Sequence, residues 1–538
     1  MKYHLILICL GACVSACATT GMQAGRAAGD VSPDPGPRPS FQEPIDLIPE
    51  ATGPLSWKVT TQSETAQAYF DQGFQLRYAY GVDAAARSFR EAHRADPNCA
   101  MCYWGEAFAL GSYLNGAITV EQAPHALVAI RKAAELAETK ATPLERDLIE
   151  ATAVRYVEDY EPGMKGSLDQ AFADAMRQVH EQYPDELNIT AVYASALFLL
   201  EPRRGTRDMA DPGVMALHAV LEDGLAKDVT HPGLCHLYIH ATESTVRPDL
   251  AEPCAEFISD GIPGASHIQH MPSHTWNEVG RWGDSVVANL NAWHSDLKAA
   301  VGTGVAIYPT HNLHMLLFAA SMDGQGAVAT QAGKDLAKLS GSTMHQVLTL
   351  LRFGRFDEIL SVEDRPSGEV DGGFWDFAQG YAHLRIGDTA VAEEYLAKVK
   401  DLAEHSDATL RYHEASQLMG LAGSILEGEV LRGSGDLQGA IAAFREAVAF
   451  DDQQQYDEPE PIPFAARHWL GAALMEAGRY AEAEEEYRTE LKDHPHNVWS
   501  LHGLRAALAA QGELDPAVDE DFAASTARSD TWITASRF

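Results

Sequence analysis

Arg467–Pro495 reads RHWLGAALMEAGRYAEAEEEYRTELKDHP, and it decides the fold. Leu470-Gly471, Ala483, Tyr487 and Pro495 stand at offsets that put small residues between two antiparallel helices. The small side chains let the helices approach, and the aromatic ring fills the space left between them. The same offsets return at Gly73, Ala85, Phe89, Ala92 and Pro97. They return again at Gly380, Ala392 and Leu396, and at Gly428, Ala440 and Phe444. Elsewhere apolar residues recur at helical spacing, with Gly or Asp/Pro punctuation about every fifteen residues, and almost nothing reads as a strand.

A period near 34 residues with Leu-Gly, Ala, an aromatic and Pro in fixed order resembles the tetratricopeptide repeat (TPR). The resemblance implies an all-α solenoid of helix pairs in which each repeat touches only its neighbours. Residues 58–200 form the N-terminal repeats, 201–345 a His-rich centre, 346–515 the C-terminal repeats and 516–538 a tail. Ala440 and Ala483 are 43 apart instead of 34, and the acidic, Pro-rich stretch Asp451–Pro463 accounts for the excess as a loop. A second break falls at Glu201–Pro212.

The first residues point to export. Lys2 is followed by the apolar run Leu5–Val14 and by Val14-Ser15-Ala16-Cys17. That run is too short for a membrane helix, which needs about 20 apolar residues, but it suits a cleaved signal. Cys17 after Ser-Ala resembles a lipobox, implying residues 1–17 as a lipoprotein signal region, diacylglycerol on Cys17, and an outer-membrane lipoprotein facing the periplasm. Residues 18–57 are rich in Gly, Pro, Ser and Ala and read as a disordered tether. A net charge of −37 argues against nucleic acid and against docking on anionic lipid, so the membrane contact expected is the lipid anchor alone.

Histidine is unevenly placed: nine of the 22 lie between His231 and His314. His236 and His240 form an i, i+4 pair within HPGLCHLYIHATE, and His270 and His274 another within HIQHMPSHTW, one 34-residue period later. Aligning Val279-Gly280-Arg281-Trp282 on Ala477-Gly478-Arg479-Tyr480 puts His267, His270 and His274 at repeat positions two, five and nine. Gly324 on Gly478 puts His311 and His314 at two and five, while His236, His240 and Glu243 fall at five, nine and twelve. In TPR proteins these first-helix positions line the concave groove. Residues at i, i+3, i+4 and i+7 share a helix face, so their imidazoles can converge on one ion. Neutral imidazoles with a carboxylate suit zinc foremost, with copper or iron as alternatives, and not magnesium or calcium.

Three readings stay open at this point: a transition-metal site, a polar groove for a peptide or anionic partner, and structural histidines. With a metal, the protein is either a binding scaffold or a metalloenzyme. Glu243 is then either the general base beside metal-bound water or the carboxylate that orients a ligating histidine. His231, ahead of Pro232-Gly233, and His294, on a second helix, read as peripheral.

HPGLCHLYIHATE, HMPSHTW, DPNCAMCYWG (96–105) and YRTELKDHPHNVWSLHGL (487–504) together resemble a bacterial TPR family without an assigned reaction. The resemblance carries over His231, His236, His240, Glu243, His270 and His274. Ser112-Tyr113-Leu114-Asn115 departs from that family's Gly-Pro-Asn-type turn. Four cysteines remain beyond the signal, enough for two disulfides in an oxidising compartment. Cys99 and Cys102 read as a local pair, with redox and metal roles as alternatives. Cys235 and Cys254, at the start of a first helix and the end of a second, should face each other. No G-x-S-x-G elbow, HExxH or phosphate-binding glycine loop occurs.

Overall fold

The computed structural model describes residues 40–202 and 205–538. The signal, Cys17 and most of the proposed tether lie outside them. The chain is an all-α array of antiparallel helix pairs; the only sheet among the described residues pairs Thr409–Leu410 with His413–Glu414.

One turn joins the helices of a pair again and again. Arg467–Glu476 and Tyr480–Asp493 are linked through Gly478 at φ +72°. Gly280, Gly324, Gly354, Gly387 and Gly435 hold the same place with φ between +66° and +91°. A residue without Cβ enters this left-handed region at no steric cost. In the first pair, Glu64–Tyr78 and Val82–Ala95, the place belongs to Tyr80 at φ +61°. A side chain there costs about 1–2 kcal/mol.

Packing follows the small-residue rule read from the sequence. A Cβ on Gly471 or Gly503 would lie 2.4 or 2.1 Å from the Tyr487 ring, and Phe89 is gripped likewise by Gly73 and Gly105. Each aromatic thus sits between a glycine of its own first helix and one of the next repeat. The four cysteines form two disulfides, Cys99–Cys102 and Cys235–Cys254, with Cα atoms 5.3 and 4.9 Å apart.

Three expectations need correction. The expected disorder does not reach residue 57: Phe41, Ala51 and Trp57 are buried, and Gln72 and Gln75 accept hydrogen bonds from the amides of Ile48 and Gly53. Two aromatic anchors suffice to dock a stretch whose average composition reads as a linker. Residues 516–538 are no tail. Pro516–Thr526 is helical, Arg528 pairs with Asp323 at 2.7 Å, and Ser536 and Arg537 are buried.

Contacts are also not confined to neighbouring repeats. Trp282 Nε1 donates to the carbonyl of Pro495 at 2.7 Å, and Trp499 Nε1 to that of Ser321 at 2.7 Å. On the other side Tyr113 and Tyr308 share a hydroxyl hydrogen bond of 2.9 Å. Both ends of the array therefore close over its centre.

Candidate metal centre

The first helices of three central repeats, Pro232–Thr242, the Ser266–His270 and Pro272–Glu278 segments, and Pro309–Met322, carry the candidate side chains. Pro272 removes one amide donor, but Met271 keeps helical dihedrals, so His270 and His274 remain on one face. Their Nε2 atoms lie 2.8 Å apart.

The cluster is not an open groove. His236, His240, Glu243, His267, His270 and His274 are each at most 2% exposed, because the ends of the array cover them. Burial and mutual repulsion hold the imidazoles of His236, His267, His270 and His311 well below the ordinary histidine range, and burial lowers His240. All are therefore neutral near pH 7, with a lone pair available.

The Nδ1 atoms of His236, His240 and His270 are held by hydrogen bonds. His236 Nδ1 donates to the carbonyl of Tyr78 at 2.5 Å. His240 Nδ1 lies 2.9 Å from Glu243 Oε1, and His274 Nδ1 2.7 Å from Glu243 Oε2. His270 Nδ1 lies 2.6 Å from Asn289 Oδ1, whose Nδ2 donates to the Ser285 carbonyl, which fixes the amide's orientation. Burial and Glu458 push the Glu243 carboxyl up, yet His240 and His274 outweigh them and hold it below the usual range. Its Oε1 accepts from His240, and its Oε2 lies against His274 Nδ1 as an ion-pair contact without a hydrogen bond. A histidine whose Nδ1–H is held this way presents a bare Nε2, the tautomer required of a metal ligand. His240 Nε2 has no hydrogen-bond partner at all.

Three groups bring one ligand atom per residue within 4.8 Å of each other: His236, His240 and His267; His270, His274 and His311; and His240, Glu243, His274 and Glu458. His314 joins none of them. Its ring lies tilted against that of His345, with centroids 4.2 Å apart, so it is placed beside the cluster and not in it. His231 caps the helix Pro232–Thr242, accepting from the Leu234 amide at Nδ1 and donating to Asn188 at Nε2; burial lowers it to about 4. His294 is exposed on Trp282–Ala299.

Sequence reasoning missed four contributors. Asn289 orients His270 from a second helix. Tyr80 lays its ring 4.3 Å from that of His236 and 5.6 Å from His267, and its only sequence signal is that it stands where other repeats have glycine. Glu458 comes from the acidic insertion, which Arg411 fastens through Asp457 at 2.6 Å and through the carbonyls of Glu458 and Pro459 at 2.8 Å. The extra residues after Ala440 were the signal. Glu278 shares with His274, Glu458, Glu460 and His494 the wall of a cleft of about 570 Å³, and burial raises its carboxyl to about 8.

Fold and site together define an all-α array of antiparallel helix pairs built around a buried polyhistidine cluster. No family model and no curated protein matches the chain. Among solved structures it is similar to yeast Tom70, at 12% identity over 85% of this chain and 98% of that one, with a TM-score of 0.32. The human IFIT1 dimer with m7Gppp-AAAA gives 12% identity over 87% and 90%, TM-score 0.30. The P58(IPK) TPR domain gives 10% over 83% and 98%, TM-score 0.23. Scores this low carry no argument about function, and the class rests on the hairpins described above.

Proposed function

We propose that this protein binds a transition metal in the buried histidine cluster and serves as a lipid-anchored binding scaffold on the periplasmic side of the outer membrane. One observation carries the metal reading. His236, His240 and His267, and again His270, His274 and His311, each bring three ring nitrogens within 4.8 Å of one another, and His240 Nε2 is buried there without a hydrogen-bond partner. Three imidazoles converging so closely away from water suit a cation as their common partner. An imidazole-rich set favours zinc, with copper or iron next. The anchor reading rests on Leu5–Val14 and Cys17 alone.

The test of the metal is elemental analysis of untagged protein against a His240→Ala/His274→Ala variant. Bound metal should fall at least several-fold in the variant. Equal metal in both removes the site and leaves the cleft as a polar surface for a peptide partner. Cys17→Ser should move the protein from the membrane fraction to the soluble one; retention on the membrane in high salt sinks the anchor.

A second reading, a metal-dependent enzyme, is favoured by the cleft that reaches His274. Glu243 suits the general-base role poorly, because both its oxygens are held by imidazoles. Glu458 and Glu278, on the cleft wall, are the carboxyl groups placed for proton transfer.

A further inference from the structure

We propose that the centre is binuclear: His236, His240 and His267 hold one transition-metal ion, His270, His274 and His311 hold a second, and Glu243 is the carboxylate that orients one histidine of each triad. The inference rests on the metal reading above and adds the number, the division of ligands and the role of Glu243.

The division follows from the repeat. Each triad takes an i, i+4 pair from one first helix and a single histidine from the first helix of the next repeat. His236 and His240 are completed by His267; His270 and His274 are completed by His311. Both completing residues hold the same repeat position in the sequence alignment. Stacking one repeat on another therefore builds the site twice, as it builds the hairpin turn many times.

Ligand supply agrees. A tetrahedral centre uses four ligands at most, and an open one uses three protein ligands with a position left over. Six imidazoles, five of them buried and that of His311 partly so, exceed the first and match the second twice. Within the first triad, ring centroids are 5.0, 5.0 and 6.1 Å apart, and within the second 4.7, 4.6 and 5.7 Å. The triads adjoin through His240 and His274, whose rings are 5.3 Å apart, so the two ions would be neighbours as in two-metal sites.

Glu243 sits at this junction. Its Oε1 takes the Nδ1 of His240 in a hydrogen bond, and its Oε2 lies 2.7 Å from the Nδ1 of His274. The group of His240, Glu243, His274 and Glu458 is on this account the clamp between the centres. A third ion there would have to displace the His240–Glu243 hydrogen bond and the His274–Glu243 contact. The surroundings differ between the triads. Tyr80 and Tyr308 wall the first, with the Tyr308 ring 5.1 Å from His267, and both keep left-handed backbone at φ +61° and +56°. The second opens through His274 to the cleft.

Native mass spectrometry of untagged, metal-stripped protein titrated with Zn2+ alone tests this. The wild type should saturate at two ions per chain. His236→Ala/His267→Ala and His270→Ala/His311→Ala should each saturate at one. Glu243→Gln, which keeps the shape but offers one acceptor oxygen, should still take two ions with affinity about 10–100-fold weaker at both. Saturation of the wild type at one ion, or loss of all metal from either triad variant while it stays folded by circular dichroism, overturns the binuclear arrangement and leaves a single site standing. An effect of Glu243→Gln on one ion only overturns the shared clamp. No binding by the wild type removes the metal reading itself.

Discussion

Tyr487→Ala should destabilise the protein by about 3–5 kcal/mol, the range for removing a large buried aromatic. The ring is 1% exposed, and glycines close on it from two successive first helices. Neither side can collapse into the vacated space, because Gly471 and Gly503 have no side chain to move in and their backbones are fixed by their helices. The loss reaches further than one repeat. The Tyr487 hydroxyl bonds Ser536 at 2.8 Å, and Ser536 in turn donates to the carbonyl of His468. Guanidinium denaturation should show a lower midpoint, and limited proteolysis should release the C-terminal segment first. A variant within about 1 kcal/mol of wild type would mean that the repeat interface does not depend on this ring.

Stripping the metal should lower stability by a comparable amount. A ligand that binds only the folded state stabilises it by about 4 kcal/mol when its free concentration is a thousand times Kd. The effect is large here because the ligands come from three repeats that have no common position in the unfolded chain. Without an ion, His240 Nε2 is left buried with no partner at the centre of the array. Thermal unfolding with a chelator should show a clear drop in midpoint, reversed by Zn2+, and His240→Ala/His274→Ala should show neither response. An unchanged wild-type midpoint would count against a metal bound in this cluster.

Much of this protein is local and therefore legible in the sequence. Helix pairing needs only small residues and an aromatic at fixed offsets, and Gly471 with Tyr487 states that requirement within 17 positions. The i, i+4 histidine pairs are equally local, and one 34-residue period is enough to bring His236 and His240 beside His270 and His274. The Cys235–Cys254 bridge follows from the same hairpin geometry.

What only the tertiary structure decided is how the ends of the array meet its centre. A repeat pattern fixes each neighbour contact but not the summed curvature, and small rotations between repeats determine whether an array stays open or closes. Here it closes, so histidines expected on an open groove are buried, His314 turns to His345, and Glu243 is consumed as a clamp. Tyr80 and Glu458 reach the cluster from 156 and 222 positions away respectively, measured from His236. No spacing rule links such residues. On the N-terminal side Tyr113 meets Tyr308 and His236 bonds the Tyr78 carbonyl, which brings Tyr80 in; on the C-terminal side Trp282 meets Pro495 and Trp499 meets Ser321, which brings in Glu458.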